Sequence, residues 1–149
     1  MDVNFKDLEN YVEVKIITAD NDATAASTGD ATEVTPGDDI DMDPYTSGLV
    51  VINYITTLTA AKTLSFGLQK EDSATDGGSK SADVEVLAST VVATGALTAS
   101  HGVYVIPIPG DTLKSWARFV NLLITPDLSH TSADTVTWSA SFIGLKRNA

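Results

Sequence analysis

The sequence of 149 residues contains no cysteine. Disulfide bridges, thiolate nucleophiles and cysteine-based metal sites are therefore excluded. Basic residues are scarce as well, because nine Lys and Arg stand against twenty Asp and Glu and give a formal net charge of −11. Nucleic acids and anionic membrane surfaces both attract basic residues. We therefore expect neither nucleic acid nor a membrane among the partners of this protein.

Long apolar runs are also missing. No apolar stretch approaches the roughly 18 residues that a transmembrane helix needs. The N-terminal sequence MDVNFKDLENYVEV lacks the basic segment and the apolar run of a signal peptide. We expect a soluble protein, made in a cytoplasm and long enough to form one domain, residues 1–149, with a substantial core.

The sequence contains none of the common catalytic motifs. It has no GxSxG nucleophile elbow, no P-loop and no GxGxxG dinucleotide motif. His101 and His130 occupy separate turn-like contexts, TASHG and DLSHT, which are typical of surface loops. Glu71 and Asp72 begin a Gly- and Ser-rich segment where carboxylates are ordinarily solvated. We therefore expect no enzymatic activity and no cofactor.

Short alternating or β-branched runs predict a β protein. The predicted strands are residues 11–17, 49–55, 62–69, 84–88, 91–93, 103–108 and 135–142. The runs 49–55 and 62–69, separated by TLTAA, predict a hairpin. Pro107 and Pro109 place the run 103–108 at a sheet edge or a strand end. In the run 135–142, the side chains of Val136, Trp138, Ala140 and Phe142 should point inward.

The remaining segments complete the predicted architecture. Residues 1–11 predict an N-terminal arm or one helical turn, and residues 19–32 and 70–83 predict surface loops. The segment 117–125 fits a helix and a buried strand equally well. With seven to nine short strands, the sequence favours a single antiparallel β-sandwich, and a jelly roll is the favoured subtype.

The segment TPGDDIDMDP, residues 35–44, suggests a calcium loop because its aspartates alternate. An EF-hand loop that starts at Asp39 needs glycine at its sixth position and glutamate at its twelfth, where this sequence has Pro44 and Val50. The EF-hand interpretation therefore fails. Two interpretations stay open, of which the simpler is a strand with Ile40 and Met42 on its dry face. The other is a non-EF calcium site, with candidate ligands Asp20, Asp22, Asp38, Asp39, Asp41 and Asp43.

Tryptophan and basic residues supply the candidate contact residues. Trp116 and Trp138 could stack on sugars, although burial in a core or an interface is commoner. Basic residues are concentrated in the C-terminal third, opposite in charge to the acidic N-terminal third, which favours contacts between subunits. The candidate residues of a subunit or capsid interface are Trp116, Arg118, Lys146 and Arg147.

Several strings between about Ala31 and Arg147 resemble a known group of proteins in their order. They are PGDDIDMDPYTSGLVVINY, TLTAAKTLSFGLQKEDS, VVATGALTA, WARFVNLLITP and TVTWSASFIGLKR. In this order they resemble the small acidic structural proteins of tailed bacteriophages, namely auxiliary head proteins of the decoration or cement type.

The resemblance implies a β-rich protein on the outside of a capsid, bound to the major capsid protein and often trimeric. It favours a strand for residues 117–125 and places the protein in the virion. In a trimer, the apolar strand faces of residues 49–55 or 117–124 would be buried between subunits. Two other functions stay open: a tail, neck or baseplate protein of the same virion, and a carbohydrate- or calcium-binding β-sandwich module for host recognition.

Overall fold

The computed structural model describes residues 8–24, 40–59, 61–71, 85–94, 100–108, 119–129 and 134–147. These residues form one short helix, α1 (Leu8–Tyr11), and eight strands. The strands are β1 (Val12–Thr24), β2 (Ile40–Asp41), β3 (Tyr45–Thr57), β4 (Thr63–Glu71), β5 (Glu85–Thr94), β6 (Ser100–Ile108), β7 (Phe119–Asp127) and β8 (Thr135–Lys146). No described helix is long and apolar enough to cross a membrane.

The strands form two four-stranded antiparallel sheets. Sheet A has the strand order β1-β8-β3-β6, and sheet B has the order β2-β7-β4-β5. Every paired neighbour is antiparallel. Apart from β4 and β5, which pair within sheet B, sequence neighbours lie in different sheets, and this is the strand order of a jelly roll built from two Greek keys. The all-β sandwich and the jelly-roll subtype predicted from the sequence are confirmed.

The core lies between the inner faces of the two sheets. Because side chains alternate along a strand, every second residue of β3, β7 and β8 is buried there. Sheet A contributes, among others, Val50, Ile52, Val136, Trp138 and Phe142, and sheet B contributes Leu64, Phe66, Leu68, Val120 and Ile124. Each fully buried apolar side chain of this size contributes about 1.5–3 kcal/mol through its burial. The predicted inward set of Val136, Trp138, Ala140 and Phe142 is confirmed.

The predicted hairpin of residues 49–55 and 62–69 is wrong. Both runs are strands, but β3 pairs with β6 and β8 in sheet A, whereas β4 pairs with β5 and β7 in sheet B. The connector between them crosses from one sheet to the other. It turns tightly, since the Lys62 N–H donates to the Thr59 carbonyl at 3.1 Å and Ala61 adopts a left-handed φ of 67°.

Other predicted boundaries also shift. Strand β1 continues to Thr24 and β4 to Glu71, so the predicted loops 19–32 and 70–83 begin inside strands. The rest of the two predicted loops, residues 25–32 and 72–83, lies outside the described residues. The segment 117–125 is a strand from Phe119 onward, as the resemblance favours, and β6 is an edge strand, as its prolines predict.

Candidate functional site

The outward-facing side of sheet A is the candidate functional site, and we call it the outer face of sheet A. Strand register aligns its positions into rows, since directly paired residues point to the same side of a sheet. One row runs from Ile16 through Ser141 and Val51 to Val105. The full set of paired positions is Val12, Val14, Ile16, Asp22, Thr24, Ser47, Leu49, Val51, Asn53, Ile55, Thr57, His101, Val103, Val105, Pro107, Thr135, Thr137, Ser139, Ser141, Ile143 and Leu145.

Large apolar side chains are exposed on this face. Among the described residues, eight large hydrophobic side chains are exposed, and all except Tyr11 belong to the outer face of sheet A. Ile16 is the most open at 76%, followed by Val14 at 65% and Val103 at 63%. Scattered exposed hydrophobic residues are ordinary, but their concentration on one face indicates a contact surface.

Charged residues are scarce on this face. Among its paired positions only Asp22, on the edge strand β1, carries a charge. Its other polar members are Ser, Thr, Asn and one His. Charged residues make up 19% of the whole sequence and lean strongly toward acids. A face with one acid, on an edge strand, can therefore meet another protein surface with little desolvation of ions.

Two shallow depressions mark the face. One, of about 290 Å³, lies over Gly102 and is lined by Asn53, Ile55, His101 and Ser139 among others. The second, of about 350 Å³, lies over Gly48 and Gly144. Neither depression brings charged side chains together. These depressions can accommodate side chains of a partner.

The outer side of sheet B differs from that of sheet A. Gln69 and Asn121 are paired across β4 and β7 and point away from the core, yet both are buried. Leu123, on the same side, is only 5% exposed. The centre of this side of sheet B is therefore already covered, and among the described strands only sheet A offers a broad apolar face.

The Lys62–Asp127 ion pair lies at the end of the sandwich where β4 begins and β7 ends, and a second group of charged residues surrounds Tyr45 at the other end. There the Lys15 ammonium lies 3.6 Å from a Glu13 carboxylate oxygen and 5.4 Å from the centre of the Tyr45 ring. The Tyr45 hydroxyl and the Glu13 carboxylate raise the pKa of Lys15, while burial raises the pKa of Tyr45. Both groups therefore keep their protons at neutral pH.

Arg147 forms two hydrogen bonds at the same end of the sandwich. Its backbone N–H donates to the Pro44 carbonyl at 2.8 Å, and its guanidinium donates to the Tyr45 carbonyl at 3.3 Å. These bonds fasten the end of β8 to the turn that precedes β3. Arg147, predicted as a contact residue, therefore has a structural role here, and its neighbour Lys146 is half-buried. The other predicted contact residues, Trp116 and Arg118, lie outside the described residues.

Of the aspartates in residues 38–43, the structure describes Asp41 and Asp43. Ile40 and Met42 are 5% and 3% exposed, so the predicted dry side is confirmed, although β2 ends at Asp41. The Asp41 carboxylate accepts a hydrogen bond from the Asp43 N–H at 3.0 Å, which closes a local turn, and Asp43 is exposed. Asp38 and Asp39 lie outside the described residues. Within the described part of the chain, no three His, Asp or Glu side chains are grouped as metal ligands.

Trp138 and His101 have different surroundings from one another. Trp138 is 4% exposed and belongs to the core, so its ring cannot stack on a sugar in solution. His101 is exposed on the outer face of sheet A, paired with Ile55, whereas His130 lies outside the described residues. The structure therefore places His101 among apolar and hydroxyl side chains rather than beside acids.

Comparison with solved structures gives the fold a known counterpart. The fold is similar to that in a crystal structure of the infectious bursal disease virus VP2 subviral particle, with a TM-score of 0.55, 15% identity and 91% of this chain covered. Structures of the Gx and Gt strains of the same virus match with TM-scores of 0.52 and 0.51, at 16% identity and 92% coverage. No protein-family model matches the sequence, and no curated protein matches it.

These similarities establish the fold: the chain is a β-sandwich like the jelly roll of a viral capsid protein. The chain spans about a third of the length of the solved chains that it resembles, since the matches cover 32% of those chains. At 15–16% identity a shared fold does not transfer a function.

Proposed function

We propose that this protein is a virion structural protein that decorates and stabilises the outside of a tailed-phage capsid by binding the major capsid protein. The observation that carries the proposal is the jelly-roll sandwich itself, a fold similar to that of a viral capsid protein. Three parts of the proposal rest on the sequence resemblance to phage decoration proteins: the phage origin, the location outside the capsid and the favoured trimer.

The proposed mechanism is binding. A jelly roll presents its faces on a rigid frame, because its two sheets share one close-packed core. Each copy would contact neighbouring capsid subunits and so resist their separation. Several attached modules raise the overall affinity through high effective concentration, even when each contact is modest. A homo-oligomer would therefore occupy the shell longer than a single copy.

Co-sedimentation with undecorated phage capsids tests the proposal. The purified protein should pellet with capsids in a saturable manner, at a fixed number of copies per capsid subunit, and should stay in solution without them. Decorated, DNA-filled capsids should also retain their DNA to a higher temperature than undecorated ones. Absence of the protein from the capsid pellet at large molar excess would refute the decoration role.

Antibody labelling of intact particles separates the head from the tail. Under the proposed function, label should decorate the head surface. Label confined to the tail, neck or baseplate would instead assign the protein to that part of the virion and overturn the proposal.

A further inference from the structure

We propose that the outer face of sheet A packs against the same face of further copies of this chain, around the symmetry axis of a homo-oligomer. The occupant of the apolar face is thus the protein itself. The capsid would then be bound by other surfaces of the molecule. This assignment goes beyond the proposed function and holds for the free protein in solution.

Charge is the first argument. The whole chain has a formal net charge of −11, so two copies repel each other wherever their acidic surfaces meet. Copies associate at low cost through a surface that carries few acids. The outer face of sheet A meets this condition, because Asp22 on the edge strand β1 is the only charged residue among its paired positions. An apolar and hydroxyl-bearing face is also complementary to itself, as a two-fold contact between identical subunits requires.

Area is the second argument. Four strands about 4.8 Å apart and six rows about 6.8 Å apart make a face of roughly 500 Å² in plan. The largest apolar patch on a monomer is typically about 300–600 Å², so this face is at the upper end for a protein that stays monomeric. Two such faces in contact bury roughly 1,000 Å² in total, which reaches the lower range of specific protein interfaces.

The absence of a second suitable surface is the third argument. In the described residues, the centre of the outer side of sheet B is buried, and the end of the sandwich near Tyr45 carries Glu13, Lys15, Asp43 and Arg147. The outer face of sheet A therefore finds no other apolar counterpart among the described surfaces of a neighbouring copy. Its best match is its own equivalent.

Register identifies the residues nearest the axis. Val51 lies on the inner strand β3, in the third of the six rows, and is paired with Ser141 on β8 and Val105 on β6. A symmetric contact centred on the face would bring each Val51 close to the Val51 of a neighbouring copy. Ser139 and Ser141 have small side chains, which let the sheets approach closely beside this point.

Opposite charges at position 51 give the sharpest test. Light scattering coupled to size-exclusion chromatography should give wild-type protein a mass of two or three times the 15.6 kDa protomer. Val51→Asp and Val51→Lys should each be monomeric, because like charges would meet at the axis. Mixed in equal amounts, the two variants should recover the oligomer. The control variants Ala61→Asp and Ala61→Lys place the same charges at an exposed turn and should keep the wild-type mass.

A variant at a second position distinguishes loss of association from misfolding. Val103 is 63% exposed on the edge strand β6, so Val103→Asp should fold normally and still weaken association. Circular dichroism and melting temperature would show that each variant is folded. A monomeric wild type at about 100 μM would overturn the proposal, as would an unchanged oligomer mass in folded Val51→Asp and Val103→Asp.

Cysteine cross-linking supplies a direct readout of distance. The chain has no cysteine, so a single introduced thiol can react only with its copy in another chain. Val51→Cys should form an intermolecular disulfide rapidly under mild oxidation, because Cβ atoms must lie about 4 Å apart. Asp43→Cys, exposed at the charged end, should cross-link slowly. Equal rates for the two variants would contradict the proposed contact.

Failure of this interface and failure of the proposed function give different results. If wild-type protein is oligomeric through this face but never pellets with capsids, the interface stands and the decoration role falls. If monomeric Val51→Asp still pellets with capsids, at lower occupancy than wild type, the two surfaces are separate, as proposed. If wild-type protein is monomeric and pellets with capsids, only the interface is wrong.

Discussion

The buried carboxylate of Asp134 binds Thr59 from a position 75 residues later in the chain. The Thr59 N–H donates to Asp134 Oδ1 at 2.9 Å, and the Thr59 hydroxyl donates to Oδ2 at 2.9 Å. Oδ2 also accepts the Ser129 N–H at 2.9 Å. Asp134 thereby ties the connector between the two sheets to the loop that joins β7 and β8. This carboxylate holds the crossing point of the jelly roll in place.

Removal of the Asp134 carboxylate should therefore be costly. Asp134→Ala leaves the backbone N–H groups of Thr59 and Ser129 without their acceptor in a half-buried site, and we expect a loss of about 3 kcal/mol in the free energy of unfolding. Thr59→Val removes one hydroxyl and should cost about 1 kcal/mol. Urea unfolding measures both changes. An unchanged midpoint for Asp134→Ala would show that the crossing does not depend on this residue.

Gly144 should not tolerate a side chain. A Cβ atom there would lie 2.4 Å from Tyr45 Cδ1 and 2.6 Å from Phe142 Cε1. These two rings pack edge to face, with centroids 5.0 Å apart, so neither can move without disturbing the other. We expect Gly144→Ala to lower the free energy of unfolding by about 1–3 kcal/mol. Thr135→Ala, at an exposed position of β8, is the control and should change it by less than about 0.5 kcal/mol; equal effects would contradict the packing argument.

The free energy of unfolding should fall at alkaline pH, because Tyr45 then loses its proton. Burial raises the pKa of this phenol above its ordinary value of 10.0. The folded state therefore holds the proton more tightly than the unfolded state, and this contribution is complete below about pH 10 and is lost as the pH rises through the folded pKa. The pKa of Lys15 is also raised, so its smaller contribution has the same sign.

Tyr45→Phe tests this pH dependence. The variant keeps the ring beside Phe142 and Lys15 but removes the ionisable hydroxyl. Thermal melts between pH 8 and about pH 11.5 should show a smaller loss of melting temperature for the variant than for wild type. Parallel profiles would show that the Tyr45 proton is not linked to folding.

Calcium should leave the melting temperature unchanged. The Asp41 carboxylate already accepts the Asp43 N–H, and Asp43 points into solvent. Melts in about 5 mM calcium and in excess chelator should therefore coincide, since a ligand stabilises only the state that binds it. A rise with calcium that Asp41→Asn abolishes would revive the calcium-binding module.

Sequence patterning predicted the strands better than their partners. The alternation in residues 135–142 identified the inner face of β8 correctly because a one-sided core selects every second residue. The hairpin prediction failed because the connector between β3 and β4 is short. A short connector can join two strands of one sheet or two strands of facing sheets equally well. In this protein the crossing depends on Asp134, which lies far away in sequence and whose role no local pattern reveals.

The outer face of sheet A was only partly predictable. The resemblance to decoration proteins predicted that the apolar face of residues 49–55 is buried between subunits of a trimer, and this stays a prediction. The contributions of Val14, Ile16 and Leu145 could not be foreseen, because they depend on β1 pairing with β8. The scarcity of charge becomes apparent only when the register brings four separated segments onto one face.

An electron cryomicroscopy reconstruction of the intact virion tests the central claim most directly. The account predicts outer-shell density into which the eight-stranded jelly roll fits, in contact with the major capsid protein and with the outer faces of sheet A turned toward each other around a symmetry axis. Density for the jelly roll in the tail, or a bare outer shell in virions that contain the protein, would contradict the account.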